Sequence, residues 1–454
     1  HTRTFAHKPS DQAVTFNDLH IDRRLVHAAE RLGVTQPTEM QQTLLHTLHS
    51  TTTDVLLRHS TGSGKTFAIL LWLLTQALRN PRTTPRGQPS HTALLLVPSR
   101  ELALQIEQWA QALLSGIPVE RASVLQRFVR GSEYSAEQQE MLRRHGVPRV
   151  ALGTARCFLD AEYAEILQAA RCVVVDEVDA VVAVPGKHAS DKLVKLRREK
   201  PRPGVVLVDR VVRNDDVRLV MASATANKQL RRFVRRWSRD VQLVDLLGAV
   251  SVPKTLRHHC LVIGDQGTIR NMRAKDDEEK PETRQEEEEG ENKHYRAQGV
   301  LEQQHEFLQA ADALAEVTAN VIAQLHPHGT MVFIRSDAPS QLFLEHLAAH
   351  GVPAVELVSR YAEHTEETSE APVYLATEEA ARGVDVPLVD LVLILDVPRS
   401  AASYAHLAGR AGRFGRAGKV VCVVPEGAWG FHESKMRGVY KALGLAAERL
   451  DFVE

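Results

Sequence analysis

The sequence contains no run of 18 or more apolar residues, the length a helix needs to cross a bilayer. It has only four cysteines in 454 residues, Cys157, Cys172, Cys260 and Cys422, scattered without metal-ligand spacing. That distribution gives no ground for zinc or for disulfides and fits a reducing or matrix-type compartment. Neither charge dominates: 56 Lys and Arg oppose 57 Asp and Glu, for a formal net charge of −1. No global field draws the chain to polyanions, so any nucleic-acid grip must come from local patches. Lysine is scarce, with 14 against 42 arginines. Arginine suits bidentate phosphate contacts, but a GC-rich genome produces the same excess. After the last expected strand and helix the sequence has no basic tail or RG repeats, so substrate specificity is expected from inserts or partner proteins.

What is present is a long alternation. Hydrophobic content of 43% and charged content of 25% are ordinary for a globular chain, and the length suffices for two or three cores. "DVLLRHS", "TALLLVPS", "PRVALGT", "RCVVVDE" and "VRLVMASAT" are β-rich runs ending in small or polar residues, with helical patterns such as 66–78 and 100–114 between them. Continuous aliphatic runs followed by helices predict parallel sheets covered on both faces. The pattern returns in "GTMVFI", "APVYLAT", "VDLVLILD" and "KVVCVV". Two α/β doubly wound domains are therefore expected, with the chemistry at the carboxyl ends of the strands. We read 1–32 as a flank, 33–247 as the first domain, 248–254 as a short linker and 255–454 as the second domain.

"STGSGKT" (60–66) sits between an expected strand and an expected helix. Gly62 and Gly64 free the backbone to wrap phosphate oxygens, together with Thr61 and Ser63, and the helix start presents unpaired N–H groups. Lys65 would reach the β and γ phosphates of ATP, and the Thr66 hydroxyl would hold Mg²⁺. His59 stands where such loops carry a small residue and is expected to narrow the pocket without closing it. "VVVDEVD" then supplies acids after another buried strand. By itself "DEVD" (176–179) is a weak signal, since acids at a strand end are often helix caps; downstream of a Gly-Lys-Thr loop, Asp176 would position Mg²⁺ and Glu177 would orient or deprotonate the attacking water.

Taken together these motifs resemble the DEAD-box RNA helicases of helicase superfamily 2, over nearly the full length. The resemblance implies two tandem RecA-like domains, an ATPase stimulated by RNA, and a partner list headed by RNA. "GVTQPTEMQ" (33–41) resembles the adenine-reading Q motif, so Gln41 would meet the base edge, and Phe16 would stack on adenine. "PSRELALQ" (98–105) is similar to the first RNA-backbone motif, implying RNA contact for Pro98, Arg100 and Glu101; Thr154, Arg335 and Thr377 are implied likewise. "SAT" (223–225) resembles the element that couples hydrolysis to closure, with Asp179, Ser223, Thr225 and His406 as the coupling set. "ATEEAARGVD" (376–385) and "YAHLAGRAGRFGR" (404–416) imply nucleotide contact for Gly383 and Asp385 and arginine fingers at Arg410 and Arg413.

The departures cluster on RNA-gripping and coupling elements. Val178 replaces the Ala of "DEAD"; "TARC" (154–157) and "RGS" (130–132) are reduced forms of two family motifs; Glu378 replaces Asp and Leu407 replaces Arg. Two functions are therefore expected: an active RNA-remodelling ATPase, or a poorly unwinding ATP-switched RNA clamp in a ribonucleoprotein. The 43 residues between "DEVD" and "SAT" carry the basic "KLVKLRREKPR" (192–202), which either tracks phosphates or is a solvated face. The acidic segment 275–293 is expected to be disordered in isolation. An arginine-rich, degenerate member beginning at His1 suggests ribosome assembly in mitochondria, with nucleolus or cytoplasm as alternatives. It is expected to act as a monomer among proteins of a ribosome-assembly or other ribonucleoprotein complex, with ribosomal RNA as the candidate RNA partner, without a membrane.

Overall fold

The computed structural model describes residues 14–59, 63–79, 91–185, 191–213, 216–224, 227–238, 240–246, 252–264, 268–273, 300–357, 372–384, 386, 389–412, 416–426 and 431–453. The chain divides into two compact units, one of His1–Ala249 with Arg382–Val384 and one of Val250–Ala381 with Asp385–Glu454.

In the first unit, seven strands form one parallel sheet: β1 (Asp54–Arg58), β2 (Thr92–Val97), β3 (Leu125–Phe128), β4 (Val150–Thr154), β5 (Ala170–Val175), β6 (Arg218–Ser223) and β7 (Val241–Asp245). Their order is β3-β4-β2-β5-β6-β1-β7. The central strands are buried along almost every residue because helices cover both faces. The aliphatic runs were legible for that reason. β3 and β7 were not, since they lie at the edges and β7 buries only Val244. Phe128, Phe158 and Tyr163 pack ring to ring beneath β4, with centroids 5.1–5.4 Å apart.

The second unit repeats the plan with β8 (Leu256–Ile263), β9 (Ile269–Asn271), β10 (Thr330–Ile334), β11 (Ala354–Glu356), β12 (Val373–Thr377), β13 (Leu391–Ile394) and β14 (Gly418–Pro425). Its order is β11-β12-β10-β13-β14-β8-β9. One edge departs from the parallel expectation: β9 runs antiparallel to β8, pairing Val262 with Arg270. A three-residue strand returning through a short connection can pair only in that sense. Among the described residues no helix is long and apolar enough to cross a membrane.

Strand order places the chemistry. β5, β6 and β1 are neighbours, so Asp176 (after β5), Ser223 (ending β6) and the loop after β1 meet at one carboxyl edge.

Candidate functional site: a nucleotide-binding edge

The helix Glu39–Ser50 starts with a capping box. Thr38 Oγ1 accepts from Gln41 N at 3.3 Å, and Gln41 Oε1 accepts from Thr38 N at 2.9 Å. The other end of the Gln41 amide reaches the phosphate-type loop, donating Nε2 to the Gly64 carbonyl at 3.2 Å, while Thr38 Oγ1 donates to Ser63 O at 3.3 Å. Gly64 sits at φ +83°, and a Cβ there would lie 2.5 Å from Gln41 Nε2. Only glycine allows this backbone and this approach.

The helix Lys65–Arg79 follows directly, and Lys65 is 4% exposed. Its Nζ donates to the His59 carbonyl at 3.0 Å, and His59 N donates to Ser223 O at 3.1 Å. His59 therefore serves the loop through its backbone. Its side-chain identity is not what these two bonds require.

Thr66 Oγ1 donates to Asp176 Oδ2 at 2.5 Å, bringing the expected Mg²⁺ hydroxyl and carboxylate together. Asp176 is fully buried. Burial first, and the Glu177 carboxylate second, push its carboxyl up from the ordinary range, against the Thr66 hydrogen bond and the Lys65 charge. Glu177 is 3% exposed and left-handed at φ 47°, ψ 51°, a conformation that costs a non-glycine residue about 1–3 kcal/mol. Its Oε2 is buried without a hydrogen-bond partner among the described residues. From the same helix, Val178–Val182, Asp179 Oδ1 accepts from Ser223 Oγ at 2.7 Å, joining the acidic motif to the end of β6.

These residues fit a triphosphate and a divalent cation. The loop glycine has the required φ, a buried lysine is at the helix start, a hydroxyl and a carboxylate adjoin, and one buried carboxylate oxygen is unsatisfied. Bound Mg-ATP would supply the electrophilic phosphorus; Lys65, Thr66 and Asp176 would hold it, and Glu177 would take the proton of a water.

The structure places the other expected residues as follows. Phe16 is 1% exposed, so its ring is packed inside the protein and offers no free face for stacking. Arg335, after β10, is held in a bidentate pair by Asp337, with both contacts at 3.0 Å. Thr377 ends β12 and caps the next turn by accepting from Ala380 N at 3.2 Å. Thr154 ends β4 and Pro98 follows β2, both half-buried. Arg100 lies 5.9 Å from the Tyr134 ring centroid and 3.7 Å from Glu101, itself 7% exposed. His406 and Arg410 are 5% and 4% exposed, and Gly383 has φ +73°. Thr61, Gly62, Thr225, Asp385, Arg413 and the acidic segment 275–293 lie outside the described residues.

Sequence reading missed the part played by the long insert. Its helix Pro203–Val211 packs on the acidic-motif helix: a Cβ on Gly204 would lie 2.3 Å from Val181 Cγ1 and 2.7 Å from Val181 O. The small residue following a helix-starting proline was the only available signal. The preceding helix, Asp191–Glu199, is exposed along almost all of its described side chains, including Val194 at 40% and Leu196 at 44%.

A family model described as DEAD/DEAH box helicase matches residues 38–233, and one described as helicase conserved C-terminal domain matches 317–415. The chain is 27% identical to DEAD-box ATP-dependent RNA helicase 47A of Oryza sativa subsp. japonica, over 97% of this chain and 75% of the relative. It is 25% identical to ATP-dependent rRNA helicase RRP3 of Mycosarcoma maydis, over 87% and 59%. Its fold is similar to that of the DEAD-box helicase Mss116 bound to ssRNA and UDP-BeF, with a TM-score of 0.68, 18% identity and coverage of 96% and 80%. With both conserved halves matched in order and the nucleotide edge assembled on β1, β5 and β6, the chain belongs to the DEAD-box RNA helicases of superfamily 2, which are ATP-dependent enzymes.

Proposed function

We propose that this protein hydrolyses Mg²⁺-bound ATP when RNA is bound and uses the cycle to remodel RNA within a ribonucleoprotein. The observation that carries the hydrolytic part is Glu177: a buried carboxylate with an oxygen unsatisfied among the described residues, held left-handed beside Asp176. Maintaining such a group costs stability, and a water substrate for its free oxygen accounts for it. Lys65 neutralises the γ-phosphate, Thr66 and Asp176 hold Mg²⁺, Gln41 reads the base, and Asp179 with Ser223 passes the nucleotide state to β6. The fingers assigned to Arg410 and Arg413, the nucleotide contacts of Gly383 and Asp385, and the RNA contacts of Pro98, Arg100, Glu101, Thr154, Arg335 and Thr377 belong to this proposal. Ribosomal RNA as the substrate is supported by the similarity to a protein named as an rRNA helicase. The scarcity of lysine beside arginine supports the mitochondrial placement.

A second reading, a clamp that unwinds poorly, is favoured by Arg335: its guanidinium is already occupied by Asp337, so gripping RNA requires breaking that pair. ATPase turnover measured with and without single-stranded RNA, beside unwinding of a short duplex, separates the two. RNA-stimulated hydrolysis with strand separation supports the helicase. Tight ATP-dependent RNA binding without stimulation supports the clamp, and absence of ATP binding overturns both. Imaging the tagged protein in cells tests the compartment; a purely nucleolar or cytosolic signal rules out mitochondria.

A further inference from the structure

A cavity of about 560 Å³ opens at the opposite end of the first sheet, where the strands begin. Arg171 and Cys172 stand at the start of β5 and Arg218 at the start of β6, roughly 15 Å back along the strands from Asp176 and Ser223. Leu48 and His49 come from the end of the helix Glu39–Ser50, and Trp72, Leu73 and Ala77 from the far half of Lys65–Arg79. Its volume is that of a small-molecule site.

The lining contains arginines and histidines but no carboxylate among the described residues. Part of each guanidinium has a structural duty at a helix end. Arg149 donates to Ala77 O, Arg171 to Gln168 O and Ala170 O, and Arg218 to Leu48 O and Thr53 O, all at 2.9–3.2 Å. Capping explains why arginines are tolerated here. It leaves the charge unexplained, because carbonyls are neutral and none of the three makes an ion pair among the described residues. Asp54, the carboxylate that acts on Arg218 from a distance, is committed to Leu219 N at 2.6 Å.

Three nitrogens around the same cavity are shielded and without a hydrogen-bond partner among the described residues: Trp72 Nε1, His49 Nε2 and one terminal nitrogen of Arg218. Burial, with His20 and Arg79 nearby, holds His49 down to about 4, so its ring is neutral. The guanidinium of Arg218 lies 5.4 Å from the Trp72 ring centroid. Each unsatisfied buried group costs about 1–3 kcal/mol. Those nitrogens lie behind the cavity wall; what faces the cavity is the charge of three arginines without a lining carboxylate among the described residues, which fits a ligand that brings negative charge and acceptor oxygens.

We propose that this cavity binds a small organic phosphate, its anionic head among Arg149, Arg171 and Arg218 and its apolar part against Leu48, Leu73 and Ala77. The site is separate from the nucleotide edge, although the helix Lys65–Arg79 begins at one and ends at the other.

The test uses the full chain carrying Lys65→Ala, which disables the phosphate loop, and phenyl phosphate as the probe, followed by calorimetry and tryptophan fluorescence. Saturable binding is expected, weaker for inorganic phosphate and absent for phenol. Arg149→Gln and Arg171→Gln should each weaken it by roughly ten-fold or more, the loss of one charge-assisted hydrogen bond. Trp72→Phe should remove the fluorescence change while the heat remains. A circular dichroism melt matching the parent excludes misfolding, and Arg171→Lys, which keeps the charge, should recover part of the affinity. Absence of saturable binding at millimolar phenyl phosphate, or binding unchanged in both glutamine variants, overturns the proposal. Because Lys65 is absent throughout, neither result bears on ATP hydrolysis.

Discussion

The two units share a strand plan but manage their polar groups differently. At the nucleotide edge of the first unit, Glu177 is left-handed with an oxygen unsatisfied among the described residues, Asp176 is buried beside it, and Lys65 donates to a backbone carbonyl. In the second unit several motif residues have internal partners. Ser403 Oγ donates to Glu378 Oε2 at 2.7 Å, Thr377 caps a turn, Asp337 holds Arg335, and the Tyr404 hydroxyl lies 2.6 Å from His258 Nδ1. Strain and unsatisfied groups persist where a ligand completes the structure. Paired groups mark either scaffolding or contacts that must be exchanged on binding. The replacement of Asp by Glu378 belongs to the scaffolding: the longer side chain reaches Ser403.

The largest expected effect breaks the contrast at its centre. Glu177→Gln should lower turnover by about 10³-fold, within the range for a general base, while equilibrium ATP binding persists. A turnover within ten-fold of the parent would show that the unsatisfied carboxylate is not the base.

The second unit offers a pH test. Burial, with His259 beside it, holds His258 down to about 4, so its folded form resists the proton that the unfolded chain takes up near 6.5. Stability should be unaffected above pH 6.5 and fall by about 2–3 kcal/mol as the pH drops from there to 4. Denaturant midpoints across that range for the parent and His258→Gln would show it; equal slopes would refute the assignment.

Gly204→Ala pushes a methyl group into Val181 and should destabilise the protein by about 1–3 kcal/mol, with a rise in KM for ATP as the acidic-motif helix shifts. A thermal melt and steady-state kinetics measure both. A neutral outcome would return the insert to the status of surface decoration.

The smallest effect sharpens the account of His59. Because its backbone makes the bonds to Lys65 and Ser223, His59→Ala should leave kcat/KM within about three-fold, below 1 kcal/mol. A larger loss in an ATPase assay would mean that the imidazole has its own role.

Much of this was legible in advance. The buried strands read as unbroken aliphatic runs because both faces of the sheets are covered, and the loop, acids and "SAT" stood at the ends of three of them. β7 and β11 escaped because these short edge strands show no strong burial pattern, and β3, though mostly buried, because Gln126 and Arg127 interrupt its apolar run. Phe16 looked like a stacking surface because sequence spacing carries no information about which ring is covered.

Local composition and order were thus sufficient to determine the α/β class, the two-unit plan, the family and the identity of the phosphate-loop and metal-binding candidates. The class and plan follow from hydrophobic period, the loop from glycine's backbone freedom, both acting within a few residues, and the family from the resemblance of the ordered motifs. Only the tertiary structure decided that Lys65 donates to the His59 carbonyl, that Gly204 braces Val181, that Asp337 occupies Arg335, and that three arginines line a cavity with no carboxylate among its described residues. Each depends on packing between segments distant in sequence or on exclusion of water, and neither is encoded in any short window of the chain.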